Sequence, residues 1–430
     1  MALALVALIS FEAVDLFFIA QLGVVPLAAV SLTFPVIALL TGIGIGFEAG
    51  AASCVSRAVG RKNNSLSRRL TTDAVVMAGI VTLLLCLIGQ RTIQPLFNLL
   101  GGAPELLPYF REYLSIWYWV EPIAIMLWTA LASIRARGHA PLESKLIIAA
   151  AVINLILDPL LIFGLFGFPR LEVQGAAIAS LIANGVVFGY ALLHLKFRLN
   201  VFASPWADLK DILHSLKELA TIGIPAIATN AIIPISNGII VSLVAAYGVT
   251  ATAAFGVAMR IEPLALIPYY ALSAVSSPFA GQNIAAGKHM RLFEGQRVIL
   301  RFCIGLGLVL ALVIAIVAKP LAGLFSSEPD VLHIASMYLW FVAPSYGIYG
   351  VVMAINASFN GIGNPLPAVA ISAARVIIVL LPIVFVAQKM FGLFGIFAAI
   401  SIANLVVGIG AYLWYGRKIG YLQQKALMAS

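Results

Sequence analysis

Four polar side chains stand inside otherwise apolar stretches in the first half of this 430-residue chain: Asp15, Asn154, Asp158 and Asn184. An ionised group at the centre of a membrane helix costs roughly 2.5 to 3.5 kcal/mol on insertion scales, so each acid there needs a partner or a task. Buried carboxyls without a fixed cation beside them either hold a proton or bind a mobile cation. Asp15 lies eight residues before Gly23 and Asp158 six before Gly164, which puts them about 12 and 9 Å below the same outer surface at 1.5 Å per residue. Asn154 is one helical turn before Asp158 on the same face, and Asn184 reaches nearly the depth of Asn154. One polar layer results. Its two carboxyls can share a proton, or they can cage a sodium ion with the two carboxamide oxygens, and the spacing leaves both open.

Other ionisable and aromatic residues are secondary candidates. Glu12 precedes Asp15 by three residues, Glu121 stands before a helix-kinking Pro122, and Glu48 lies near Arg57 and Arg61, where an interfacial ion pair is expected. Arg260 and Glu262 are two apart, hence on different helix faces, so each is expected to pair with another helix, Arg260 holding the second half together. Tyr269, Tyr346 and Tyr349, with Trp117, Trp119, Trp128 and Tyr270, could line a cation-binding cleft through their ring faces. Interface belts and packing account for most such residues. The run Gly42-Ile43-Gly44-Ile45-Gly46 lacks the strand and Lys of a phosphate loop and reads as close helix packing. Cys54, Cys86 and Cys303 are single, without paired or metal-ligand spacing. The five histidines lie in or near loops with no Ser/His or metal constellation, so no catalytic residue, cofactor or metal is expected beyond a coupling proton or the alternative sodium ion.

The elements that position these residues follow from composition. The chain is 62% hydrophobic and 10% charged, against roughly 25% charged in a soluble domain. Apolar stretches long enough to cross a bilayer fall at roughly 1–22, 26–56, 70–95, 108–134, 144–164 and 174–195, then 219–246, 250–284, 297–322, 332–358, 367–388 and 393–415. Of the 26 basic residues, Arg91, Arg111, Arg170, Lys319 and Lys389 fall on one side, Arg260 and Arg375 fall inside helices, and the rest fall on the other side. Positive-inside bias therefore predicts both termini in the cytoplasm. The net charge of +9 belongs to those loops rather than to a nucleic-acid-binding face. The first helix lacks a basic leader and carries Glu12 and Asp15, a poor match to a cleavable signal.

The two halves repeat one another. Gly23-Val24 aligns with Gly248-Val249, and Arg137-Gly138 before Pro141 aligns with Ile362-Gly363 before Pro365. Gly175 precedes the Ile-Ala-Asn ending at Asn184 by nine positions, as Gly395 precedes the one ending at Asn404. Six helices per copy give a parallel repeat around a central cleft. The expected organisation is an N-terminal lobe at 1–196, a cytoplasmic linker at 197–218 and a C-terminal lobe at 219–430. The counterpart of Pro225 would fall at or before position 1, so about ten or more residues are expected upstream.

These residues resemble the multidrug and toxic compound extrusion (MATE) family over nearly the whole chain. The likeness rests on the twelve-helix repeat, Val14-Asp15 through Gly23, Arg137-Gly138 with Pro141, and Asn154 with Asp158 before Pro159. It is nearest the DinF-like branch, whose coupling acids in helices 1 and 5 map onto Asp15 and Asp158. The NorM-like branch has acids in helices 7 and 10, where this chain offers Asn230, Asn237, Asn356 and Asn360. The resemblance implies an all-α polytopic protein of twelve transmembrane helices in two six-helix pseudo-symmetric lobes around a V-shaped cleft, rocking to export lipophilic organic cations such as drugs and dyes. It implies a lipid-embedded protein of the cell inner membrane, functional as a monomer and without nucleic acid. It also implies a helix 1 that bends on protonation near a proline, the missing counterpart of Pro225. A sodium-driven carrier is one alternative, and a lipid-linked sugar flippase, needing basic residues for pyrophosphate, is another.

Overall fold

The computed structural model describes residues 1–204 and 208–429, apart from the side chains of 9–13, 209, 419 and 421–429. Glu12 falls among those excepted side chains. Contacts divide the chain into two compact units, Met1–Ile227 and the residues from Ala228 onward.

The first unit contains α1 (Ala2–Ala20), α2 (Val24–Ser31), α3 (Phe34–Gly60), α4 (Asn64–Arg91), α5 (Ile93–Leu99), α6 (Leu107–Ala136), α7 (Ala140–Phe163), α8 (Glu172–Leu193) and the start of α9 (Leu209–Ala245). The second contains the rest of α9, then α10 (Val249–Ala285), α11 (His289–Gly323), α12 (Pro329–Val342), α13 (Tyr346–Gly361), α14 (Leu366–Ala373) and α15 (Leu381–Ala429). No strand occurs among the described residues. Local chemistry sets the ends. The Asn63 side chain accepts from the Leu66 N–H and caps α4. Proline occupies the first turn of α3, α7 and α12, where its missing N–H costs nothing. Gly164 ends α7 in the left-handed conformation.

Ten stretches among the described residues are long and apolar enough to cross a membrane. The last, Leu366–Lys418, turns at Gly392, whose φ of 59° and ψ of −141° interrupt α15 and make two spans of it. The 19-residue α1 completes twelve, of which the span in α9 is divided between the two units. The protein is thus an all-α polytopic membrane protein. Several helices overrun the hydropathy limits: α4 begins at Asn64 and α11 at His289, because amphipathic turns extend the apolar spans beyond the bilayer. The stretch expected as linker, 197–218, is helical from Leu209. The two prolines at equivalent places act differently, since α6 runs through Pro122 whereas Pro344 lies in a 3-10 turn that divides α12 from α13.

Glycines set the closest approaches. A Cβ on Gly44 would come within 2.9 Å of Ile125, and one on Gly46 within 2.9 Å of the Gly223 carbonyl oxygen, so this run lets α6 and α9 lie against α3. The repeat has a physical counterpart. A Cβ on Gly175 would stand 2.5 Å from the Leu161 carbonyl oxygen, and one on Gly395 2.1 Å from that of Ala387. In each unit a glycine lets one helix start against the end of the preceding helix. Cys54, Cys86 and Cys303 are free and buried as packing residues.

Candidate cation-coupling site

In the first unit α1 packs along α7, and α7 along α8. This puts Asp15, Asp158 and Asn154 in the unit's interior, with Asp158 fully buried and Asp15 6% exposed. The two carboxyls stand on helices that pack along each other. The Asn154 carboxamide lies between Asp158 Oδ2, 2.8 Å away, and Ser180, whose Oγ is 3.1 Å away; with Asp158 ionised, the orientation that satisfies both has the amide N–H donating to Asp158 and its oxygen accepting from the Ser180 N–H and Oγ. Asn184, one turn further along α8, donates to the Ser180 backbone oxygen at 2.9 Å. One turn beyond each acid, Ile19 and Ile162 join Val30, Tyr113 and Val173 in an apolar cluster that closes the site at that end.

The structure thus brings Asp15, Asp158 and Asn154 together and joins Asn184 to them through Ser180. Ser180 was not singled out in the sequence, although it stands one turn before Asn184 on the same face. With Asp158 ionised the Asn154 oxygen turns toward Ser180 and its N–H toward Asp158. A protonated Asp158 or a sodium ion would be met by the opposite orientation, with the Asn154 oxygen toward the acids. Asp15, Asp158 and Asn184 are the remaining oxygen donors.

Glu121 is a separate buried carboxyl on α6. Its Oε1 accepts from Trp117 Nε1 at 3.0 Å, and its Oε2 has no hydrogen-bond partner among the described residues. Trp117 stacks on Tyr113 with ring centroids 5.3 Å apart, which fixes the indole that holds the acid. Glu48 corrects an expectation. It pairs with Arg135 at 2.6 Å rather than with Arg57 or Arg61, because the end of α6 crosses α3 at its level. Arg135 also pairs with the buried Glu143, while Arg57 bonds to Glu218 at 3.1 Å. Arg135 and Glu143 count as loop-end charges in the sequence, and only the meeting of α3, α6 and α7 shows them as an interior cluster.

In the second unit Arg260 is exposed and forms no ion pair among the described residues, so it does not hold that unit together. Two residues turn a helix by about 200°, so the inward course of Glu262 carries Arg260 outward. Glu262 Oε2 accepts from the hydroxyls of Tyr338 and Tyr346, the latter at 3.5 Å. Tyr269 and Tyr346 are core residues rather than cleft-lining ones: Tyr269 is fully buried with its hydroxyl 3.4 Å from the Cys303 carbonyl oxygen, and Tyr346 is 1% exposed. Tyr349 does line a cavity, with Glu262 and Arg375.

A duplicated bundle of twelve apolar helices with a hydrogen-bonded acid layer inside one unit is the architecture of a membrane transporter. The family model described as MatE matches residues 1–160 and 225–386, and the chain belongs to that family. It is 35% identical to the FAD transporter of Shewanella oneidensis over 95% of this chain and 91% of that protein. It is 28% identical to the probable multidrug resistance protein YoeA of Bacillus subtilis over 94% of this chain and 89% of that protein. Among solved structures it matches the Vibrio cholerae MATE transporter VcmN in the bent form at 31% identity and a TM-score of 0.93, covering 98% of this chain and 95% of that one.

Proposed function

We propose that this MATE-family transporter exports lipophilic organic cations in exchange for protons, with Asp15 and Asp158 as the coupling carboxyls. The observation that carries the reading is Asp158, a fully buried carboxyl that forms no ion pair among the described residues and lies on α7 along the course of α1 and Asp15. A buried carboxyl without a fixed cation beside it holds a proton or binds a mobile cation, and burial of this depth favours the neutral, protonated form. Asp15 stands on α1, which packs along α7, so neutralising the pair changes what holds α1 against α7. Alternating access follows: protons taken from the outer side reshape α1 and release the drug outward, and their loss inward resets the cycle. The protein works as a monomer in the cell inner membrane with both termini cytoplasmic, as the distribution of basic residues suggests.

A second substrate class has its own support. The 35% identity to a FAD transporter over nearly the whole chain favours a flavin nucleotide as cargo. One experiment addresses both readings. Proteoliposomes holding the full chain are given a fluorescent organic cation or FAD, under a pH gradient alone and a sodium gradient alone, for wild type and Asp15→Asn. Proton-driven movement of the dye that is lost in the variant is expected. Movement driven by sodium alone would replace the ion, movement of FAD without the dye would replace the substrate, and unimpaired transport by the variant would remove Asp15 from the site.

A further inference from the structure

The second unit has a charged cavity that the coupling reaction does not use. Its volume is about 110 Å³, and its walls include Asn237, Glu262, Tyr270, Tyr349, Arg375 and Asn404. The two charges are held separately. The Tyr338 and Tyr346 hydroxyls donate to Glu262 Oε2. Arg375 is fixed from its own side: Nη1 donates to Asn404 Oδ1 at 3.1 Å, Asn404 Nδ2 donates to Ser345 Oγ at 3.0 Å, and the guanidinium centre lies 4.7 Å from the Tyr349 ring centroid. Glu262 and Arg375 feel each other electrostatically, yet no ion pair joins them among the described residues. Both are half-buried, and both face the same cavity without touching. Arg375 also lies in a π-helical turn, Ala374–Leu380, a rare geometry that is frequent at functional sites.

We propose that this cavity binds a small amphoteric group: an ammonium or N–H donor against Glu262, a carboxylate or carbonyl against Arg375, and one aromatic ring between them beside Tyr349. The guanidinium has five N–H donors, and its bond to Asn404 leaves an edge for a planar acceptor. A cavity of about 150 Å³ accepts benzene, so about 110 Å³ holds the two charged substituents against the wall groups and only part of one ring, the rest of the ring lying in the opening. The site selects by requiring both charges at once, because a ligand with one charge leaves the other wall group without its partner.

The test uses the full chain in lipid nanodiscs and isothermal calorimetry with three probes: 4-(aminomethyl)benzoate, which carries both charges, benzylamine and benzoate. The zwitterion should bind on the order of tenfold to a hundredfold tighter than either singly charged probe, the discrimination expected when one charged hydrogen bond is lost. Glu262→Gln should erase its advantage over benzoate and keep that over benzylamine, and Arg375→Gln should do the reverse. Tyr349→Leu should weaken all three. A thermal transition measured for each variant checks folding, and the wild-type ranking decides the matter should a variant fail to fold. Equal binding of the three probes, failure of the zwitterion to bind wild type, or equal losses for all probes in both charge variants would overturn the proposal.

Discussion

Replacing Asp158 by Asn separates the two roles that a buried carboxyl can have. The side chain is fully buried, and with the acid ionised Asn154 donates to its Oδ2 at 2.8 Å. An amide has the same shape and keeps an oxygen for that donor. The bond changes from charge-assisted, about 1.5 to 3 kcal/mol, to neutral, about 0.5 to 1.5, a loss of about 1 kcal/mol. Against this, the variant no longer carries an ionisable acid whose charged form costs roughly 2.5 to 3.5 kcal/mol in a membrane helix. The balance predicts a protein that is as stable as wild type or more stable by up to about 2 kcal/mol, which is a rise in Tm of at most a few degrees. Coupled transport should nevertheless fall more than tenfold, since the exchanged proton has lost one of its two seats. The assay pairs Tm in detergent with pH-driven dye efflux from proteoliposomes. A purely structural Asp158 would give the opposite pattern, a lowered Tm with transport intact, and that result would refute the reasoning.

Arg135→Ala should destabilise the first unit by about 3 to 5 kcal/mol, because it leaves the buried Glu143 without its partner; thermal unfolding reads this, and a Tm unchanged within error would contradict the buried pairing. Glu218→Gln should cost less than about 1 kcal/mol, since Glu218 is partly exposed beside Arg57, with a cost that shrinks as salt rises. Gly175→Val should cost about 1 to 3 kcal/mol through the contact its Cβ makes with the Leu161 backbone, and dye efflux should fall with it because α8 carries Ser180 and Asn184. Tyr338→Phe should cost about 1 to 3 kcal/mol by removing a donor from Glu262, again read by Tm.

Depth along a helix is legible in sequence and azimuth is much less so, which explains what was read and what was not. Asp15 and Asp158 could be brought to one level by counting residues from Gly23 and Gly164, and Asn154 to Asp158 by one helical turn, because these are distances along an axis. The spans themselves needed only hydropathy, although the amphipathic start of α9 at Leu209 did not register as part of a span. Arg260 and Glu262 show the limit: nothing in their spacing says which faces inward, and packing of α10 against α12 and α13 decides it. The Arg135 and Glu143 pair lay hidden for a related reason. Each is near a helix end, and an end is solvent-facing by default until a neighbour such as α3 covers it. Ser180 gave no signal because a serine in a membrane helix usually bonds its own backbone.

The π turn that holds Arg375 has a consequence for lineages rather than for single molecules. A π turn accommodates one residue more than an α-helix of the same course, so the stretch Ala374–Leu380 is in effect a site of insertion. Loss of any one codon between Arg375 and Leu380 would close the turn to ordinary pitch, with the helix on either side keeping its facing. A single in-frame deletion would therefore exchange the residue that faces the cavity while leaving every flanking apolar position suitable for the membrane. Length at this one position, more than residue identity, would separate descendants that keep the arginine-lined cavity from those that have given it up.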